Sequence, residues 1–153
     1  MRSTVLVGAA ATKSVLLALI TLATATLFVD VEVQRPAMMV LLLILISIGF
    51  CLMGFFIGLL ANNFEQLQFI PLLVVTPLTF LGGVFYSVSA LEEPWRSVTL
   101  ANPIVYLVSA YRWTFYGVSD VSLVASMTGV ALTILLPLVA IAWIFKTGYK
   151  LKN

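Results

Sequence analysis

Three long stretches of this chain contain no charged residue, and they constrain its fold more than any other feature. They are residues 36–64, 66–91 and 121–145, with lengths of 29, 26 and 25 residues. About 20 apolar residues are enough for a helix to cross a hydrocarbon core of about 30 Å, so each stretch can span a membrane. Hydrophobic residues make up 62% of the chain and charged residues only 9%, which leaves too little polar surface for a water-soluble domain. The sequence therefore predicts an all-α integral membrane protein.

A fourth apolar stretch, residues 5–29, contains Lys13, which can reach the lipid interface if it lies near the end of a helix. The region also has features of a signal peptide, because Arg2 and Lys13 precede the apolar residues 14–22 and the small residues at 23–25. We expect a span rather than a cleaved signal, since the charged region would be unusually long. The prediction is one transmembrane domain over residues 1–153, with helical spans at about 5–29, 37–61, 67–86 and 123–145.

Residues 97–111 are also uncharged, but these 15 residues before Arg112 are too few for a crossing. Asn102-Pro103 interrupts them, because proline disfavours helical geometry in the residue before it. Asn102 can instead cap a helix in which Pro103 is the first residue. An apolar stripe at helical spacing follows, formed by Ile104, Leu107, Val108, Tyr111 and Phe115. We predict a re-entrant or interfacial hairpin of two short helices on the outer side, over about 87–120.

Aromatic residues in the hairpin indicate its depth in the membrane. Six of them resemble an interfacial belt, namely Trp95, Tyr106, Tyr111, Trp113, Phe115 and Tyr116. Among these rings the Arg112 guanidinium can stack and hold a lipid phosphate through its charge, so Trp95, Tyr106, Tyr111 and Arg112 are candidate contacts for lipid or substrate. The alternative is an amphipathic connector in which Arg112 is only an anchor. Ser89 and Glu92 have the spacing of a capping box ahead of the first hairpin helix.

The distribution of basic residues predicts the orientation. Two groups lie at the ends of the chain, Arg2 and Lys13 at the start and Lys146, Lys150 and Lys152 at the end. Four spans place both groups on one side of the membrane, which the positive-inside rule makes cytoplasmic. We therefore expect a multi-pass protein of the cell membrane with both termini inside and the hairpin outside.

Residue types that carry catalysis or bind metals are scarce. The chain has no histidine and a single cysteine, Cys51, which excludes an internal disulfide and a thiolate metal cluster. No pair of carboxylates lies within a span and no phosphate-binding loop occurs, so we predict neither catalytic residues nor a metal site. The net charge of +2 is too small for a nucleic-acid-binding protein.

Glycines and prolines inside the spans predict close packing and bending. Gly54 and Gly58 form a GxxxG motif, which favours close approach of another helix of this chain, with a subunit interface as the alternative. Pro71 and Pro77 each remove a backbone hydrogen-bond donor from the third span. A helix broken in this way either lines a substrate pathway or holds a static kink.

One ordered series of residues resembles a known family. It runs from Pro77-Leu-Thr-Phe-Leu-Gly82-Gly83-Val-Phe-Tyr86, through Leu91 and Trp95, to Asn102-Pro103-Ile-Val-Tyr106 and Arg112. This series resembles the membrane subunit of ABC transporters of the second exporter type, which includes permeases for drugs, polysaccharides and lipo-oligosaccharides. The resemblance implies six spans per subunit, of which this chain would hold the last four.

The resemblance also implies partners. A cytoplasmic ABC ATPase on another chain would bind ATP and Mg²⁺, so that this chain needs no cofactor of its own, and a second permease copy would complete a homodimer. The only predicted inner turn between spans, Asn62-Asn63-Phe64-Glu65, is the candidate contact with the ATPase. The function expected is therefore the permease subunit of an ATP-driven exporter. A small non-transporting membrane partner that packs through Gly54 and Gly58, or a carrier without an ATPase, is the alternative.

Overall fold

The fold is built from helices. A computed structural model describes residues 2–30 and 32–147, and no β-strand occurs within these ranges. The helices are α1 (Arg2–Ala25), α2 (Pro36–Leu60), α3 (Phe64–Ile70), α4 (Thr76–Phe80), α5 (Trp95–Leu100), α6 (Pro103–Tyr116) and α7 (Leu123–Thr147). A π-helical turn, Pro71–Val75, joins α3 to α4, and we call this combined element, Phe64–Phe80, the broken helix. Lys150 and Lys152, on which the orientation argument depends, lie outside the described residues.

Three described helices are long and apolar enough to cross a membrane. They comprise Gly8–Thr26, Pro36–Leu60 and Leu123–Thr147, which confirms a membrane-embedded helical protein. The span predicted at 67–86 corresponds to the broken helix, which is shorter because its helical structure ends at Phe80. At 1.5 Å per residue the broken helix is about 25 Å long, somewhat less than a hydrocarbon core. The count of four spans therefore stays a prediction.

The core of the bundle forms where α2, α6 and α7 meet. Leu42 of α2, Leu107 and Ala110 of α6, and Val130 of α7 make up its buried apolar cluster. Further along both helices, seven residues on in α2 and three in α7, Gly49 lies so close to α7 that a Cβ atom there would be 2.9 Å from the Thr133 side chain. Contacts therefore advance along α2 and α7 in the same direction, and the two helices run parallel.

Helix α6 is more enclosed than its apolar stripe predicts. Val105, Ser109 and Ala110 lie outside the predicted stripe, yet they are at most 1% exposed. The reason is that α6 packs against both α2 and α7 and is therefore covered on two sides. On the α7 side, a Cβ atom at Gly129 would lie 2.6 Å from the Tyr106 Cβ, so glycine permits this contact. The hairpin enters the bundle and is not a shallow connector on its surface.

The segment before α2 packs against the end of α6. The backbone N–H groups of Gln34 and Arg35 donate to the carbonyls of Phe115 and Thr114, at 3.4 and 3.0 Å. These carbonyls belong to the last turn of α6, where a helix has no donors of its own left to offer. The beginning of α2 and the end of the hairpin therefore lie at the same end of the bundle.

The GxxxG motif of α2 does not mediate close packing within the described residues. A Cβ atom at Gly54 would meet nothing within 4 Å, and one at Gly58 would only touch Leu67 at 4.0 Å. The prediction that this motif brings two helices of the chain together is therefore wrong for Gly54. The close helix approach occurs five residues earlier, at Gly49, because that residue faces α7.

Candidate functional site

Asn102 connects the beginning of α6 to the end of the broken helix. Its side-chain oxygen accepts a hydrogen bond from the Ile104 N–H at 3.0 Å, which confirms the predicted N-cap. Its side-chain nitrogen donates to the Leu78 carbonyl at 2.6 Å. That carbonyl is in the last turn of α4, where it needs a partner from outside the helix. Asn102 is buried, and its amide satisfies two helix ends at once.

The paired glycines allow α6 to approach α4 this closely. A Cβ atom at Gly82 would lie 2.7 Å from the Ile104 Cγ2, so no larger residue fits without displacing α6. Gly83 has a φ of +76°, a left-handed conformation that side chains disfavour. The sequence resemblance singled out Gly82, Gly83, Asn102 and Pro103, and the structure brings all four together.

Arg112 reaches the same turn from the other end of α6. Its Nη2 donates to the Gly83 carbonyl at 2.7 Å and to the Tyr86 carbonyl at 3.4 Å. Its Nη1 forms an ion pair with the carboxylate of Asp120. Both terminal nitrogens of the guanidinium thus have protein acceptors, so it has a structural role in addition to any contact with a lipid phosphate, which stays a prediction.

Asp120 completes this group of residues, which we call the junction: Gly82, Gly83, Asn102, Arg112 and Asp120. Its Oδ2 accepts from Arg112, and its Oδ1 accepts from the Ser87 hydroxyl. Ser87 has only one proton, so Ser89 must be the donor in the 2.7 Å contact between the two hydroxyls. Asp120 was not among the residues predicted from the sequence, although a glycine such as Gly117 is typical of a helix end. In the structure Gly117 ends α6 with a φ of +70°, and the chain turns there.

The arginine that stacks on an aromatic ring of the hairpin is Arg35 and not Arg112. The Arg35 Cζ lies 4.2 Å from the centroid of the Trp113 ring, and its Nη1 donates to the Trp113 carbonyl at 3.2 Å. This corrects the expectation that Arg112 stacks on its neighbouring rings. Arg112 instead points toward the broken helix, because that is where its carbonyl acceptors lie.

The remaining hairpin aromatics differ in exposure. Trp95 and Tyr116 are each 67% exposed, so they can face lipid as an interfacial belt requires. Tyr106 is partly buried and donates from its hydroxyl to the Leu100 carbonyl at 2.9 Å, which links α6 to α5. Tyr111 is also partly buried and packs at the edge of the apolar core.

The predicted capping box at the first hairpin helix is wrong. Helix α5 begins at Trp95, and Pro94 precedes it without any side-chain cap. Ser89 instead bonds to Ser87, and the Ser97 hydroxyl donates to Glu93 at 2.6 Å. A cap requires an adjacent helix, and α5 begins too far along the chain for Ser89 to reach it.

The predicted ATPase-contact turn, Asn62-Asn63-Phe64-Glu65, lies away from the junction. It lies at the amino-terminal end of the broken helix, whereas the junction begins just after the carboxyl-terminal end, about 25 Å further along that element. The Asn62 N–H donates to the Gln66 side chain at 2.8 Å, and Phe64 is 83% exposed. The turn thus presents an apolar ring between polar side chains.

An apolar groove of about 900 Å³ opens between the broken helix and the bundle. Its walls come from α2, α6, α7 and the broken helix, with Phe50, Val74, Ile104 and Leu132 as examples. Few polar groups line it, so its chemistry suits apolar chains rather than ions or sugars.

Comparisons with known proteins agree with this arrangement. The profile of the family described as ABC-2 type transporter matches residues 4–116. The chain is 34% identical over 137 residues to a protein named inner membrane transport permease YadH, in Escherichia coli strain K12, in E. coli O157:H7 and in Shigella flexneri. Each match covers 90% of this chain and 53% of the relative, so the chain spans about half the length of these relatives. No solved structure matches.

The matched region includes the broken helix and four of the five junction residues, the exception being Asp120. The sequence resemblance to the membrane subunit of ABC transporters of the second type is thereby confirmed. The chain belongs to the ABC-2 type transporter family.

Proposed function

We propose that this chain is the permease subunit of an exporter and that a separate cytoplasmic ATPase, which binds ATP and Mg²⁺, drives it. The observation that carries this proposal is the junction, because the residues of the family resemblance form one bonded unit at the end of the broken helix. The apolar groove beside the broken helix supports a substrate with an apolar part.

A second permease copy would complete the transporter. Gly54 and Gly58 lie on an exposed face of α2, where no described residue of this chain packs closely. Small residues on a lipid-facing helix permit close approach of a helix from another subunit. This open face therefore supports a homodimer within the lipid membrane.

The turn Asn62-Asn63-Phe64-Glu65 is the proposed contact with the ATPase. We expect Asn63→Cys, in a Cys51→Ser background, to crosslink to a co-expressed ATPase through a thiol-reactive photo-crosslinker. The reason is that the exposed Phe64 ring can enter a cleft while the polar neighbours stay solvated. Crosslinked product is measured by mass spectrometry of the purified complex.

The matched control is Ser89→Cys, which is exposed at the opposite end of the bundle and should give no product. A complex that copurifies intact but yields no crosslink at residue 63 would contradict the assignment of this turn. If the ATPase hydrolyses ATP at the same rate alone and in the copurified complex, the proposal that it drives this permease would be contradicted.

We also propose four crossings with both termini in the cytoplasm. Helices α2 and α7 run parallel, and the beginning of α2 packs against the end of the hairpin. The chain that leaves α2 must therefore return across the bundle before α7 begins, which supports a crossing by the broken helix. These crossings place three arginines outside, namely Arg35, Arg96 and Arg112. The charge of Arg112 is balanced by Asp120, which leaves the cytoplasmic basic residues as the stronger orienting signal.

Thiol labelling tests this topology. In a Cys51→Ser background, an impermeant maleimide added to intact cells should label Ser89→Cys and Val118→Cys but not Asn63→Cys or Lys150→Cys. Residues 89, 118 and 63 are all exposed. A difference in their labelling therefore reports the side of the membrane on which they lie and not their burial. Permeabilised cells serve as the control, in which all four variants should react. Labelling of Lys150→Cys in intact cells would place the carboxyl terminus outside and contradict the proposed topology.

A further inference from the structure

The two halves of the broken helix are held very differently. The carboxyl-terminal half is α4, which we take here together with the turn that follows it at 81–86. Residues near both ends of α6 form hydrogen bonds with it. Asn102 binds the Leu78 carbonyl, and Arg112 binds the carbonyls of Gly83 and Tyr86. Because these donors come from one rigid 14-residue helix, they fix both the position and the direction of this half.

The amino-terminal half, α3, lacks such attachments among the described residues. Neither α3 nor α4 has a buried residue, so what distinguishes α3 is that no hydrogen bond joins it to another helix among the described residues. In its side-chain hydrogen bond, the Gln66 oxygen accepts from the backbone N–H of Asn62, in the turn just before α3. Segments with few buried contacts open or move at low free-energy cost.

Between the halves lies the π-helical turn, Pro71–Val75. Thr76 donates to the Pro71 carbonyl five residues back, both from its backbone and from its hydroxyl at 3.3 Å. Prolines 71 and 77 have no N–H to offer, so the regular ladder is interrupted on both sides of the turn. Such π-turns are sites at which helices bend.

Asp120 determines how firmly the carboxyl-terminal half is held. Its carboxylate is only 9% exposed, and it binds the Arg112 guanidinium and the Ser87 hydroxyl at the same time. It thereby directs the guanidinium toward the Gly83 and Tyr86 carbonyls and connects this turn to the beginning of α7. Neutralising Asp120 would leave the guanidinium without its charged partner.

We propose that Asp120 is a positioning residue which, through Arg112, fixes the carboxyl-terminal half of the broken helix to the hairpin, so that the helix bends at Pro71–Val75. The amino-terminal half moves about this hinge while the carboxyl-terminal half does not. This inference rests on the proposed function only in that an ATPase at residues 62–65 would drive the movement. The hinge itself is a property of this chain alone.

Distances between pairs of spin labels in the full chain, reconstituted in liposomes without any ATPase, test the proposal. In a Cys51→Ser background, one pair is Phe85→Cys with Val118→Cys, across the carboxyl-terminal half and the hairpin. The other is Phe69→Cys with Val139→Cys, across the amino-terminal half and α7. All four side chains are exposed, so the labels leave the core intact. We expect the second pair to have a distance distribution about twice as wide as the first, since weakly packed segments sample more conformations.

Asp120→Asn should widen the first distribution about twofold and leave the second unchanged, because only the fixed half loses an attachment. Asp120→Glu should restore the narrow distribution, which a general loss of folding would not allow. Asp30→Asn, an exposed carboxylate in the loop after α1, is the control and should change neither pair.

Equal widths for the two pairs would refute the hinge, and an unchanged first pair in Asp120→Asn would refute the role of Asp120. Because no ATPase is present, either result is independent of whether the chain is a driven exporter. Failure of the residue-63 crosslink would in turn leave these distances unaffected.

Discussion

Replacing Asn102 with alanine is expected to lower the free energy of unfolding by about 2–4 kcal/mol. The change removes the N-cap of α6 and leaves the Leu78 carbonyl without its 2.6 Å partner. Both groups are close to the bundle interior, where water cannot easily replace the lost amide. The damage would be concentrated where α4 meets α6.

Unfolding in mixed micelles with increasing SDS measures this loss. Asn102→Ser would retain a capping oxygen but cannot reach Leu78, so it should cost about half as much as alanine. Asn63→Ala is the matched control, because that asparagine precedes α3 without a side-chain cap and is exposed. If Asn102→Ala unfolds at the same SDS fraction as the control, the link between α4 and α6 does not stabilise the fold.

Gly82→Ala is expected to destabilise the protein by about 1–3 kcal/mol, the usual cost of overpacking. The new methyl group would lie 2.7 Å from the Ile104 Cγ2 and 3.0 Å from the Leu78 carbonyl oxygen. The Ile104 side chain cannot easily move away, because it is buried in the first turn of α6, next to the N-cap residue Asn102. The strain would therefore displace the beginning of α6.

A double-mutant cycle with Ile104→Ala isolates this contact. Removing the Ile104 side chain should relieve the added methyl group, so the double variant should be about 1 kcal/mol more stable than the two single effects predict. Gly8→Ala, at a helical glycine with no neighbour within 4 Å, is the control and should be neutral or slightly stabilising. Strict additivity would show that Gly82 is not required for the approach of α6.

Signals that are local in the sequence predicted local structure well. The uncharged stretches predicted α2 and α7, because length and apolarity alone decide whether a helix can span a membrane. Asn102-Pro103 predicted the beginning of α6 to the residue, since capping and the geometry of proline involve only adjacent residues. Pro71 and Pro77 likewise predicted that the third apolar stretch would be broken.

Contacts between distant residues could not be predicted in the same way. The ion pair of Arg112 with Asp120 depends on where the chain turns after α6, and the stacking of Arg35 on Trp113 joins residues 78 positions apart. The burial of Ala110 depends on helices on both sides, whereas a periodic stripe shows only one face. Local patterns contain no information on which of several arginines will meet a given ring or carboxylate.

The enclosure of α6 between α2 and α7 has a consequence for biosynthesis. A ribosome makes α6 before α7, so the newly inserted hairpin first meets the membrane with only one of its two walls in place. Until Gly129 and Val130 have emerged, Tyr106 has no glycine surface to pack on and the buried cluster lacks its third helix. The packing of α6 is therefore complete only after α7 has been made, and a chain stopped before residue 123 leaves α6 without that wall.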